Sequence, residues 1–139
     1  MDFKKYGSVA AVRIDRGEEV LEELKKACEE MNIKSAYITG IGAGDDITVG
    51  LYSVEERKYN KFRHQGEFEI TNITGNITSL DGEYYSHLHI SFGDGNKFIA
   101  GGHLNSCRIC GTCELFIQII DGQIDRMVDD KTGLNILKF

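Results

Sequence analysis

Glu83-Tyr84-Tyr85-Ser86-His87-Leu88-His89-Ile90-Ser91-Phe92, followed by Gly93-Asp94-Gly95-Asn96 and then by Lys97 to Leu104, decides the reading of this chain. The first ten residues are rich in aromatic and β-branched side chains, and the Gly/Asp/Asn cluster after them is turn chemistry. Together they predict two antiparallel strands. Side chains alternate along a strand, so His87 and His89 point to one face, roughly 6.6–7 Å apart at the backbone. Paired positions of an antiparallel hairpin have a constant sum. A three-residue loop at Asp94-Gly95-Asn96 pairs Gly93 with Lys97, giving a sum of 190 that sets His103 opposite His87 on the same face. A two-residue loop gives 189 and sends His103 to the other face unless Gly101 or Gly102 supplies a bulge.

Three neutral imidazoles with a fourth position open form the pattern of a catalytic or ligand-binding zinc site, with Zn–N distances of about 2.0–2.1 Å. Iron, nickel or another divalent ion uses the same donors. The competing reading is three hydrogen-bonded or surface histidines in a sheet. His64 stands apart from the group.

Upstream, Asp81-Gly82 is a two-residue hairpin signal. Ser35–Ile41, Ile47–Ser53, Tyr59–His64, Phe68–Ile73 and Asn76–Leu80 read as strands, with Gly42-Ala43-Gly44-Asp45 separating the first two. Ser8–Ile14 reads as the first strand and Asp15-Arg16-Gly17 as a turn. Glu18–Met31 is an amphipathic helix with Val20, Leu21, Leu24, Cys28 and Met31 on one stripe, an acidic first turn, and Asn32 closing it. Downstream, Ile109–Ile120 is a long strand, Asp121-Gly122 a turn, and short strands fall near Met127 and Ile136. The pattern is α+β: one principal N-terminal helix, a mainly antiparallel β-sheet, and a single domain over residues 1–139.

The totals agree. The chain has 139 residues, 41% hydrophobic and 27% charged, which suits one packed core rather than disorder. It has no apolar run long enough for a membrane span and no secretory leader at Met1–Tyr6, so a cytoplasmic location is expected. The net charge of −6 argues against a broad nucleic-acid footprint.

Several segments in order resemble a known family. They are Arg13 with Gly17-Glu18, Ala36 to Ala43, Gly66-Glu67-Phe68-Glu69-Ile70 with Gly75-Asn76-Ile77, His87-Leu88-His89, Gly101-Gly102-His103-Leu104, and Thr112-Cys113-Glu114. This ordered set resembles the PPC (plant and prokaryote conserved) domain, a stand-alone protein in prokaryotes and a companion of AT-hooks in plant nuclear proteins. The resemblance implies a homotrimer and a divalent metal, often zinc, on His87, His89 and His103. It also implies the alternative of a DNA-binding or regulatory protein, although this sequence lacks an AT-hook. A small-molecule ligand on the metal is the other expectation, and catalysis and simple binding both fit it. Glu69 and Glu114 match acidic positions of the family pattern. They are the catalytic candidates, as general base or partner of an imidazole, weighed against solvent-facing strand residues.

The remaining motifs read blandly. Cys107-x2-Cys110-x2-Cys113 resembles part of an iron–sulfur run but lacks the fourth cysteine and the proline. In a regular strand Cys110 faces away from the other two, so free thiols are expected, with Cys28 in the core. Gly40-x-Gly42-Ala43-Gly44 lacks the Lys-Ser/Thr of a phosphate loop and reads as a tight strand connection. Lys58, Lys61 and Arg63 read as a solvated strand face, and Arg13 as a cation for an anion or a carboxylate.

Overall fold

The computed structural model describes all residues, 1–139. Its elements in order are β1 (Asp2–Tyr6), β2 (Val9–Ile14), α1 (Val20–Glu30), β3 (Ala36–Ser53), β4 (Lys58–Leu80), β5 (Glu83–Gly93), β6 (Ile99–Ile119), β7 (Asp125–Val128) and β8 (Asn135–Lys138). The α+β reading holds, with one helix and an eight-stranded, mainly antiparallel sheet of order β1-β2-β6-β3-β4-β7-β8. Strand β5 bridges β4 and β6, so β3, β4, β5 and β6 close into a ring. The only parallel pairing is β4 with β7, at Ser79 and Asp125. No helix is long and apolar enough to cross a membrane.

Several boundaries differ from the sequence reading. The glycine run at 40–44 does not connect two strands. Residues Ala36–Ser53 form one strand, with register shifts between Gly40 and Gly42 and between Gly44 and Asp46. Glycine is needed there because β6 passes so close: a Cβ on Gly42 would lie 2.6 Å from the Thr112 carbonyl oxygen. Bulges bend a strand without ending it. In the same way the segments read as separate strands over 59–80 and 97–120 are the single long strands β4 and β6. Strand β1, which sequence reading missed, pairs with β2 along a polar, exposed edge.

The helix starts two residues later than predicted. Glu19 is its N-cap, and the Glu19 carboxylate accepts hydrogen bonds from the backbone N–H groups of Glu22 (2.9 Å) and Cys107 (2.8 Å). One side chain therefore caps the helix and pins it to β6. Asn32 follows in the left-handed region, φ 53°, as a helix end favours. Val20, Leu24, Ala27 and Cys28 are buried, and Leu21 and Met31 pack at the margin. A single apolar cluster joins α1 to the inward faces of β2, β3, β4, β5 and β6. Leu88, Ile90 and Phe92 supply the β5 share, so His87 and His89, at the alternate positions, face away from the core.

Candidate metal centre

Two hairpins position the three histidines. The β4–β5 turn is Asp81-Gly82, both with positive φ (52° and 83°), as the type I′ turn requires. It pairs Leu80 with Glu83, and the same register pairs Asn76 with His87 and Thr74 with His89. The β5–β6 loop is longer than the sequence suggested. It runs Asp94–Phe98, five residues, and pairs Gly93 with Ile99 and His89 with His103. The pairing sum is 192 rather than 190, so His103 lies opposite His89, not His87.

Asp94 is the reason for the longer loop. Its Oδ1 accepts hydrogen bonds from the backbone N–H groups of Asn96 (2.8 Å) and Phe98 (3.0 Å), while its own N–H donates to the Phe98 carbonyl. Those hydrogen bonds hold the Asp94 carboxyl below its usual range. A slip of two preserves parity, so the expected shared face survives.

On that face one ligand nitrogen from each of His87, His89 and His103 lies within 4.8 Å of the others. Ring centroids are 5.4 Å apart for His87–His89, 5.1 Å for His87–His103 and 5.7 Å for His89–His103. His89 is exposed; the other two are half-buried. The Tyr59 ring meets His103 edge-on at 6.1 Å, and the Tyr59 hydroxyl lies 3.0 Å from Asn105 Oδ1. Burial and then the neighbouring histidines push His103 down to about 4. Burial, Arg126 and His89 lower His87. Both are neutral at pH 7, the form that ligates metal.

A stability consequence follows for the metal-free protein. Unfolded histidine titrates near 6.5, so between that value and about 4 the unfolded chain holds a proton that native His103 refuses. Native stability therefore falls as pH drops through this window. Urea midpoints measured from pH 7 to 4.5 should decline, and His103→Gln should flatten that decline. Equal slopes for the two proteins would contradict the assignment.

The other sequence candidates lie elsewhere. Glu69 pairs with Ala43 and Gly93, and Glu114 with Arg13 and Ile41. Glu69 is five residues along β4 from Thr74, the partner of His89, or about 16 Å of strand. Both glutamates are exposed and border a groove of about 610 Å³ along Gly42, Ala43, Gly111 and Thr112. The structure therefore does not bring them to the histidines. Arg13 pairs with Asp15 at 2.8 Å. Arg63 pairs with Asp46, and Lys58 and Lys61 are exposed. His64 packs between Phe92 and Phe98. All four cysteines are free: Cys28, Cys107 and Cys113 are buried and Cys110 is half-buried. Burial pushes the Cys28 and Cys113 thiols up to about 12, which leaves them unreactive near neutrality.

One neighbour of the triad was not legible. Arg126, on β7, is only 6% exposed. Its Nε donates to Thr78 Oγ1 (2.8 Å), its Nη2 to Asn76 Oδ1 (2.7 Å) and its Nη1 to the Asn135 carbonyl (2.5 Å). Its guanidinium lies 4.8 Å from the Tyr85 ring centroid. Asn76 is the cross-strand partner of His87, so Arg126 borders the triad. Nothing in Asp125-Arg126-Met127-Val128 marks this arginine in advance.

The model of the Plants and Prokaryotes Conserved (PCC) domain matches residues 1–121. Among solved structures, a protein of Bacteroides thetaiotaomicron named as a DNA-binding candidate is 33% identical, with TM-score 0.95, covering 99% of this chain and 96% of its own. A metal-containing protein of Archaeoglobus fulgidus is 28% identical, with TM-score 0.89, covering 100% and 99%. A plant- and prokaryote-conserved protein of Pyrococcus horikoshii is 28% identical, with TM-score 0.85, covering 96% and 92%. No protein of curated function matches.

Proposed function

The chain belongs to the Plants and Prokaryotes Conserved domain family, and we propose that it is a metal-binding member, His87, His89 and His103 holding one divalent ion, most simply zinc. The observation that carries this reading is the convergence of three imidazoles from two paired strands on one spot. The donor set fits. Tetrahedral ligand nitrogens around zinc stand about 3.3 Å apart, which modest side-chain rotation reaches from the present spread. A metal-containing relative of similar fold adds weight.

Three protein ligands leave a coordination position open, and an ion held this way supplies a Lewis acid to a small molecule entering there. The chain's own part is to keep His87 and His103 neutral and to fix the position of all three rings. His103 is braced by Tyr59, and the β4–β5 and β5–β6 ladders set the ring positions.

The assembly we propose is a homotrimer. Tyr37, Ile41 and Phe116 are about half exposed and share the sheet face that points away from the core, an apolar surface that subunit contact would cover. Free cysteines suit a reducing cytoplasm. DNA binding is the second reading, favoured by the name of the Bacteroides relative. The net charge of −6 works against it, since duplex affinity comes largely from neutralised phosphates.

Elemental analysis of purified protein tests the proposal. One equivalent of divalent metal per chain is expected; none, after incubation with zinc and gel filtration, would overturn it.

A further inference from the structure

The triad has an electrostatic peculiarity. Metal centres commonly offset the charge of the ion with a carboxylate or a thiolate, and this one has neither. The converging ligand group is His87, His89 and His103 alone, with no Asp, Glu or Cys among its members. Glu69 and Glu114, the acids singled out in the sequence, sit on another part of the sheet.

Arg126 makes the imbalance larger. It is buried, and no carboxylate pairs with it, although Arg13, Arg63 and Arg108 each pair with an aspartate. Its three acceptors, Thr78, Asn76 and the Asn135 carbonyl, are all neutral. They use three of the five guanidinium N–H donors. A buried charge without a counter-charge is costly, and the usual remedy is an ion of opposite sign. With a divalent ion on the three imidazoles, this corner of the sheet carries two cationic centres, and no carboxylate ligates the one or accepts a hydrogen bond from the other.

We infer that Arg126 and the triad form a two-point site for a small carboxylate-bearing molecule, its carboxylate facing the guanidinium and the open metal position. The inference rests on the proposed metal reading but concerns a different residue. A guanidinium suits a planar carboxylate better than a point cation does, because it offers paired N–H groups. Arg126 thereby gives the C-terminal β7–β8 hairpin, which lies beyond the 121 residues matched by the family model, a part in ligand selection.

The test uses the cobalt-loaded protein, whose visible spectrum reports the open position. Sodium acetate should shift that spectrum saturably, and acetamide at equal concentration should not. Arg126→Gln should keep one equivalent of cobalt and bind acetate at least about 10-fold more weakly, the loss expected for a charge-assisted hydrogen bond. Equal acetate affinity in the two proteins would overturn the assignment while leaving the metal reading standing. Should the parent take up no cobalt, the metal reading fails. Acetate titration of the metal-free parent and of Arg126→Gln by calorimetry then decides: binding that the variant loses supports the arginine site, and no binding overturns it. Where Arg126→Gln does not fold, Arg126→Lys replaces it, with several-fold weaker acetate binding expected and unchanged binding refuting the role of the fork.

Discussion

Replacing His89 with alanine should lower divalent-metal affinity by more than about 100-fold and leave the fold intact. Even removing a hydrogen-bond partner behind a ligand typically costs about 10–100-fold, and His89 is itself one of only three donors. The fold should survive because the His89 side chain is exposed and points away from Leu88 and Ile90, the neighbours that enter the core. Its backbone pairings with Thr74 and His103 need no imidazole. Chelator competition with zinc, read beside a thermal melt, measures both quantities. His64→Ala is the matched control. His64 sits among Phe92 and Phe98, so its loss should lower the melting temperature and leave zinc affinity unchanged. Full metal retention by His89→Ala would remove the triad as the site.

The shared face of these histidines was readable because it depends on parity alone. His87 and His89 are two apart on one strand, and any odd-length loop after Gly93 keeps His103 on their side. The partner of His103 was not readable. It turns on a five-residue loop set by two hydrogen bonds to the Asp94 carboxylate, and Asp94-Gly95-Asn96 is equally good chemistry for a shorter turn. The long strands were hidden for a related reason. Glycines at 40, 42 and 44 signal a break in sequence terms, yet here they admit the backbone of β6. The separation of Glu69 and Glu114 from the triad needed the registers of β3, β4 and β6 together. Arg126 was hardest of all. It reaches the site through tertiary contacts between segments some fifty residues apart in sequence, and its own strand is four residues long.

The second large effect is expected at Gly75, which no metal-ligand argument would single out. Gly75 lies opposite Leu88, between the pairs Asn76–His87 and Thr74–His89. A Cβ built there would stand 2.0 Å from the His87 carbonyl oxygen and 2.8 Å from the Leu88 Cα, at a φ of 156°. Both obstacles are backbone, so no side-chain rotation relieves them. Alanine must push β5 away from β4 at the point that spaces the two histidines. Overpacking and backbone strain each cost about 1–3 kcal/mol, so Gly75→Ala should lose about 4 kcal/mol. That is a large part of the roughly 5–15 kcal/mol that holds a typical domain together. Gly95→Ala is the control, since a Cβ there meets nothing within 4 Å. Urea unfolding of the two variants should separate them widely, and zinc competition on whatever Gly75→Ala remains folded should show weakened binding. If the two variants unfold at the same urea concentration and bind zinc alike, the close approach of β4 and β5 is not what spaces the ligands. If stability drops but zinc affinity holds, the strands re-pair around the alanine and the triad tolerates a shifted ladder. Weakening of both together is the result that ties the metal centre to the packing of two backbones rather than to its three side chains alone.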